Sequence, residues 1–168
     1  MPKIIENLEN RLIEETRKQI QQQGYSAVTI RSIASACGVG VGTVNNYFPS
    51  KEDLLATYML KDWNTCVTAI RAVSTYAETF SAVCRCIHDQ LQDFIRRYQD
   101  LFQDPAARVS FGSYNIRYHG VLRGQLAQSL ERFCGSGFAS EFVAEALLTW
   151  TVEGKPFEEI YGMLEKLL

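Results

Sequence analysis

The chain lacks the features that mark several large classes of protein. No run of 18 apolar residues occurs in its 168 residues, so no segment reads as a transmembrane helix. The opening stretch MPKIIENLENRLIEE is acidic and amphipathic, without a signal-peptide apolar region, so the expected location is the cytoplasm and no membrane is an expected partner. The five cysteines (Cys37, Cys66, Cys84, Cys86, Cys134) are odd in number and follow no framework spacing, which excludes a disulfide scaffold and suits a reducing compartment. Neither His88 nor His119 has a Ser or Cys beside it in a nucleophile setting. Cys84 and His88, four apart, supply only two ligands of a metal site. Gly38-x-Gly40-x-Gly42 has a superficial likeness to a phosphate loop, but no strand precedes it and no G-K-[ST] follows. The expectation is therefore no catalytic residue, no metal and no cofactor: not an enzyme.

Charge is also scarce, and its placement is informative. The net charge is −2, which argues against a uniformly basic nucleic-acid binder. Between Thr16 and Lys51, however, there is no Asp or Glu, while Arg17, Lys18, Arg31 and Lys51 are all basic. One section of an acidic chain is thus locally cationic and suited to phosphate attraction. A hydrophobic content of 46% supports a packed interior.

That cationic section contains TIRSIASACGVGVGTVNNYFPSK, Thr29 to Lys51. Ile30, Ile33 and Ala34 repeat at helical spacing, Gly38 interrupts, and Val39, Val44 and Phe48 form a second apolar set. The pattern predicts two short helices around a tight turn, a helix-turn-helix, whose second helix can enter the DNA major groove. Gly42 costs that helix about 1 kcal/mol relative to Ala, so local propensity does not explain it. A backbone lying close to another surface does.

Thr29, Ile33, Ala34, Gly38, Val39, Gly42, Thr43, Tyr47, Phe48, Ser50, Lys51 and Leu54 stand where the TetR family of transcriptional repressors has its motif, T-x-x-x-I-A-x-x-x-G-V-S-x-G-T-x-Y-x-Y-F-x-S-K-x-x-L. The chain resembles that family over these positions and back through the preceding helix, and much less beyond about residue 63. Two residues depart from the pattern: Gly40 replaces Ser at the cap of the second helix, and Asn45 replaces Tyr. The first is a tolerated N-cap, and the second removes a phosphate contact and bears on which operator is read.

The expected fold is all-α, with a three-helix helix-turn-helix DNA-binding domain over residues 1–50 and a helical ligand-binding and dimerisation domain over 51–168. Expected DNA-contacting residues are Thr29 and Arg31 at the start of the first motif helix; Val41, Gly42, Thr43, Asn45, Asn46 and Tyr47 on the second; and Lys51 beyond it. Asn46 suits bidentate pairing with adenine, Val41 and the Thr43 methyl suit a thymine methyl, and Tyr47 and Lys51 suit phosphates. Lys51 sits in the first turn of a helix, where the dipole disfavours a cation unless an anion is near.

Farther on, helices are expected over about 51–74, 79–102, 114–133, 138–153 and 156–167, with a short helical piece at Asp104-Pro105 and a break at Phe111-Gly112-Ser113. The last two helices carry apolar residues around more than one face, which fits packing on both their own core and a second copy. The resemblance implies the same homodimer, with Phe138, Phe142, Trp150, Phe157, Tyr161 and Leu164 as interface candidates. It further implies a small-molecule ligand, here expected to be apolar or aromatic, with Trp63, Phe94, Tyr98, Tyr114, Tyr118 and His119 as pocket candidates. The function expected is a dimeric repressor released from a pseudo-palindromic double-stranded DNA operator by that ligand. The alternative is a TetR-like protein-interaction module or coactivator that does not itself read DNA.

Overall fold

The computed structural model describes residues 7–167, with the backbone alone for 111–117. The described residues form α1 (Leu8–Gln23), a 3-10 turn (Tyr25–Ala27), α2 (Ile30–Cys37), α3 (Val41–Tyr47), α4 (Lys51–Tyr76), α5 (Phe80–Arg97), α6 (Gln99–Gln103), α7 (Pro105–Cys134), α8 (Phe138–Val152) and α9 (Phe157–Leu167), with no strand among them. None of these helices is long and apolar enough to cross a membrane.

Local chemistry sets most boundaries. Gly24 and Gly38 end α1 and α2 at φ 79° and 68°, a region other residues enter at a cost. Ser50 caps α4, its hydroxyl accepting from the Asp53 amide at 3.1 Å and donating to the Asp53 carboxylate at 2.6 Å. Thr79 caps α5 and Asp104 caps α7 in the same way, through the amides of Ala82 and of Ala106 and Ala107.

Two expectations give way. The break at Phe111-Gly112-Ser113 is absent: α7 runs unbroken for 30 residues. A single glycine costs a helix only about 1 kcal/mol, and without a following proline a long helix absorbs it. The segment expected as one helix over 79–102 is instead divided at Tyr98 into α5 and α6.

The chain forms two compact units. The first extends to Lys61 and includes Asp100–Gly112; the second comprises Asp62–Gln99 and the chain from Ser113 onward. The first turns of α4, with Leu54 and Leu55 fully buried, belong to the first unit. In that unit α1 packs on α2 and α2 on α3 around Leu12, Ile33, Ala34 and Val44. The Arg17 guanidinium over the Tyr58 ring joins α1 to α4, as does the Lys61 ammonium on Asn10 and Glu9.

In the second unit α5, α8 and α9 pack against one another, and Trp63, Ile70, Ile87, Leu126, Leu147 and Ile160 share one core. Every cysteine is a free thiol, and burial pushes all five up in pKa, Cys84 to about 12. Thiolate chemistry is thereby suppressed. Among the described residues, no group of three or more His, Cys, Asp or Glu is arranged to hold a metal.

His88 is a buried imidazole in this unit. Its Nδ1 lies 2.9 Å from Thr151 Oγ1, its ring meets Phe157, and burial holds its pKa below the ordinary 6.5 despite Asp89 and Glu158 nearby. The unfolded chain therefore binds more protons than the native state once the pH falls below 6.5, so stability drops over that window until His88 is protonated in the native state too. Denaturant titrations at pH 7.5 and 5.5 should show a larger loss for the native chain than for His88→Gln, which keeps a hydrogen-bonding group and does not titrate.

Candidate nucleic-acid interface

The first motif helix is anchored by polar contacts at both ends. At its start the Ser32 amide donates to Thr29 Oγ1 (3.0 Å) and the Thr29 amide to Ser32 Oγ (3.1 Å), a reciprocal box. Ser32 Oγ also donates to Gln19 Oε1 of α1 at 2.6 Å, and Gln19 Nε2 donates to the Ser32 carbonyl at 3.3 Å. At its end Arg11 of α1 donates to the Cys37 carbonyl at 2.9 Å. α2 is thus fixed on α1 at two points, and α3 follows after a three-residue turn.

α3 has seven residues, starts at Gly40 without a side-chain cap, and buries one residue, Val44. With 100° per residue, Gly42 and Asn46 both lie about 160° from Val44 around the helix axis, on the opposite face and one turn apart. Val41, Gly42, Asn45, Asn46 and Tyr47 are exposed, and Thr43 is half-buried. A Cβ built on Gly42 meets nothing within 4 Å, so no contact inside the protein requires glycine there. Thr29 and Arg31, also exposed, stand at the N-terminal end of α2.

Lys51 is placed differently from its neighbours. Its ammonium donates to the Tyr25 carbonyl at 2.9 Å and sits 3.8 Å from the centre of the Tyr25 ring. Burial lowers its pKa, against the attraction of Glu52 and Asp104. Tyr25 in turn donates its hydroxyl to Glu52 at 2.6 Å, and burial with Glu52 raises its pKa to about 12. Glu52 is held below the ordinary carboxylate range: burial opposes ionisation, and the Tyr25 hydrogen bond and Lys51 outweigh it.

The other candidates fall in the second unit. Trp63 meets Phe94 edge to face at 5.6 Å, and Phe94 lies 4.8 Å from Tyr98; Trp63 and Tyr98 are buried. Their polar ends are engaged, Trp63 Nε1 with Gln125 and the Tyr98 hydroxyl with Asp62, which also takes Arg97 at 2.7 Å. Tyr118 is half-buried, and His119 lies with Glu145 and Arg123. The Tyr114 side chain lies outside the described residues.

An open apolar groove of about 300 Å³ lies instead on α8 and α9, lined by Phe142, Ala146, Trp150, Ile160, Met163 and Leu164, among others. Of the ligand candidates with described side chains, none lines it. Of the interface candidates, Phe138, Phe142 and Trp150 are exposed at 82%, 41% and 45%, and Tyr161 is half-buried. Phe157 is buried in its own core under the Arg85 guanidinium and stacked on Tyr161. Leu164 is also buried but borders the groove.

Sequence reading missed Arg11, Gln19, Tyr25 and Glu52. Each acts through a partner 13 to 27 positions away, and no local pattern marks such pairs.

These features define a helix-turn-helix protein: a short second helix, packed through one valine, that turns a small-residue polar face outward. Residues 12–58 match the model of the family described as bacterial regulatory proteins, tetR family. It is 36% identical over 53 residues to the HTH-type transcriptional repressor KstR of Rhodococcus jostii, covering 32% of this chain and 25% of that one. It is 27% identical over 164 residues to the HTH-type transcriptional regulator BetI of Paraburkholderia phymatum, covering 88% and 83%. The chain spans about a quarter of the length of the first curated relatives it matches. Among solved structures, Thermus thermophilus FadR, a TetR-family repressor in complex with lauroyl-CoA, superposes with TM-score 0.68 at 19% identity, covering 95% of this chain and 92% of that one. At that identity the likeness establishes the fold.

Gly42→Ala separates folding from recognition. The methyl meets open space and removes the helix cost of glycine, so it should stabilise the unit by up to about 1 kcal/mol. The same methyl should weaken binding to duplex DNA. Denaturation midpoints and a binding titration on one preparation read both signs.

Proposed function

We propose that the protein is a dimeric DNA-binding transcriptional regulator acting in the cytoplasm, a repressor released from a pseudo-palindromic operator by a small apolar or aromatic molecule. The outward face of α3 carries this reading: Gly42 and Asn46, opposite buried Val44, give a close-approach point beside a bidentate amide. The cationic surroundings, with no acid between Thr16 and Lys51, add sequence-independent attraction. KstR and FadR, both named as repressors, support the direction of regulation. The reading has no catalytic step.

Dimerisation is supported by the groove on α8 and α9 and by the exposed Phe138, Phe142 and Trp150 beside it. An isologous pairing of this surface presents two α3 helices to two half-sites. The ligand reading is supported by Trp63, Phe94 and Tyr98: the Trp63 and Tyr98 polar atoms are already hydrogen-bonded, leaving ring surface as the recognition element. A coupling of about 1–3 kcal/mol between ligand and DNA suffices to change operator affinity 5- to 150-fold.

Selection from a random duplex library should enrich a two-fold related sequence, bound with strong salt dependence. Failure to enrich any sequence would instead favour a protein-interaction module. On the enriched duplex, Asn46→Ala should cost about 1–3 kcal/mol of discrimination at one base position per half-site and leave binding to random DNA unchanged. Trp150→Glu should weaken the dimer by about 2 kcal/mol or more, seen as a shift to monomer mass in light scattering, with specific binding lost alongside. A native chain that is already monomeric at the concentrations used for binding would contradict the dimer.

A further inference from the structure

The corner between α6 and α7 belongs to the same compact unit as the helix-turn-helix, although more than fifty residues separate them. Asp104 is its pivot. One carboxylate oxygen accepts from the Ala106 and Ala107 amides at 2.8 and 3.0 Å, capping α7, while the other accepts from the Ser26 hydroxyl at 3.2 Å. Ser110, on the first turns of α7, hydrogen-bonds the Tyr25 side chain. Two residues of the corner therefore hold the turn Tyr25–Ala27, and the Tyr25 carbonyl and ring are what hold Lys51.

We infer that the α6–α7 corner is an acidic clasp on the DNA-binding head, in which Asp104 and Ser110 fix the Tyr25 turn and thereby withhold the Lys51 charge from a DNA phosphate. The inference rests on the DNA-binding reading for its consequence, not for its geometry. The Lys51 ammonium has one donor committed to a carbonyl and its charge set over a ring. Glu52, on the same helix, and Asp104, on the corner, are the carboxylates whose charge acts on it. A phosphate must compete with all of these. α7 carries the chain from the corner into the second unit, and opening the clasp adds a cation to the DNA-facing surface. Arg31 and Arg17 stand outside this arrangement, which makes Lys51 the adjustable part of the attraction.

Two variants loosen the clasp without touching α3. Ser26→Ala removes the hydroxyl from an exposed position, and Asp104→Asn removes the charge while keeping an oxygen for the Ala106 and Ala107 amides. In the full chain without DNA, acetic anhydride labelling read by mass spectrometry should modify Lys51 faster in both variants, by about fivefold, the equivalent of one hydrogen bond, while Lys18 serves as the unchanged reference. On a duplex enriched by the native chain, both variants should bind more tightly, and log affinity should fall more steeply with log salt by about 0.9, one extra phosphate neutralised. Adding Lys51→Gln to either variant should remove the gain. Unchanged Lys51 labelling overturns the clasp. So does faster labelling with no change in salt slope on a duplex the native chain binds. If no duplex is enriched, the functional reading fails separately, and labelling alone decides whether the clasp exists.

Discussion

The arrangement depends on the burial of Val44. A helix of seven residues has too few internal hydrogen bonds to persist in water, so α3 exists because Val44, fully buried, and Phe48 just after it pin it to the rest of its unit. Pinning one position of so short a helix fixes the direction of every other. Gly42 and Asn46 must then point away from the protein, with Val41 and Asn45 on one side of them and Thr43 and Tyr47 on the other. The Thr29–Ser32 box, Gln19 and Arg11 hold α2 at both ends on α1, so α3 is presented on a rigid base rather than on a loop.

The second unit solves a different problem with similar means. α8 buries Val143, Ala144, Leu147 and Leu148 on one side and leaves Phe142, Ala146 and Trp150 beside an open groove on another. A helix apolar on two faces exposes surface to water at a cost unless something covers it. His88 sits at the junction of α5, α8 and α9, tying this surface to the core through Thr151 and Phe157.

Features set by neighbouring residues were legible in the sequence. The glycine stops at 24 and 38, the Gly40 start of α3, the Ser50–Asp53 cap and the outward α3 residues all follow from local spacing. Features set across the chain were not. Lys51 reads as an ordinary cation in a first turn until Tyr25, 26 positions earlier, is found beneath it. Phe157 reads as an interface residue because its periodicity is amphipathic; only the position of Arg85 and His88 shows that it faces inward. The grouping of residues 100–112 with the first unit leaves no mark in composition, since the Ser26–Asp104 contact spans 78 positions.

The central claim, that the exposed face of α3 meets DNA, is tested most directly by amide chemical shifts on titration with an enriched duplex. The account predicts the largest changes at Gly42, Asn45 and Asn46, with smaller ones at the start of α2. Binding that leaves those three amides unmoved while shifting resonances elsewhere would contradict it.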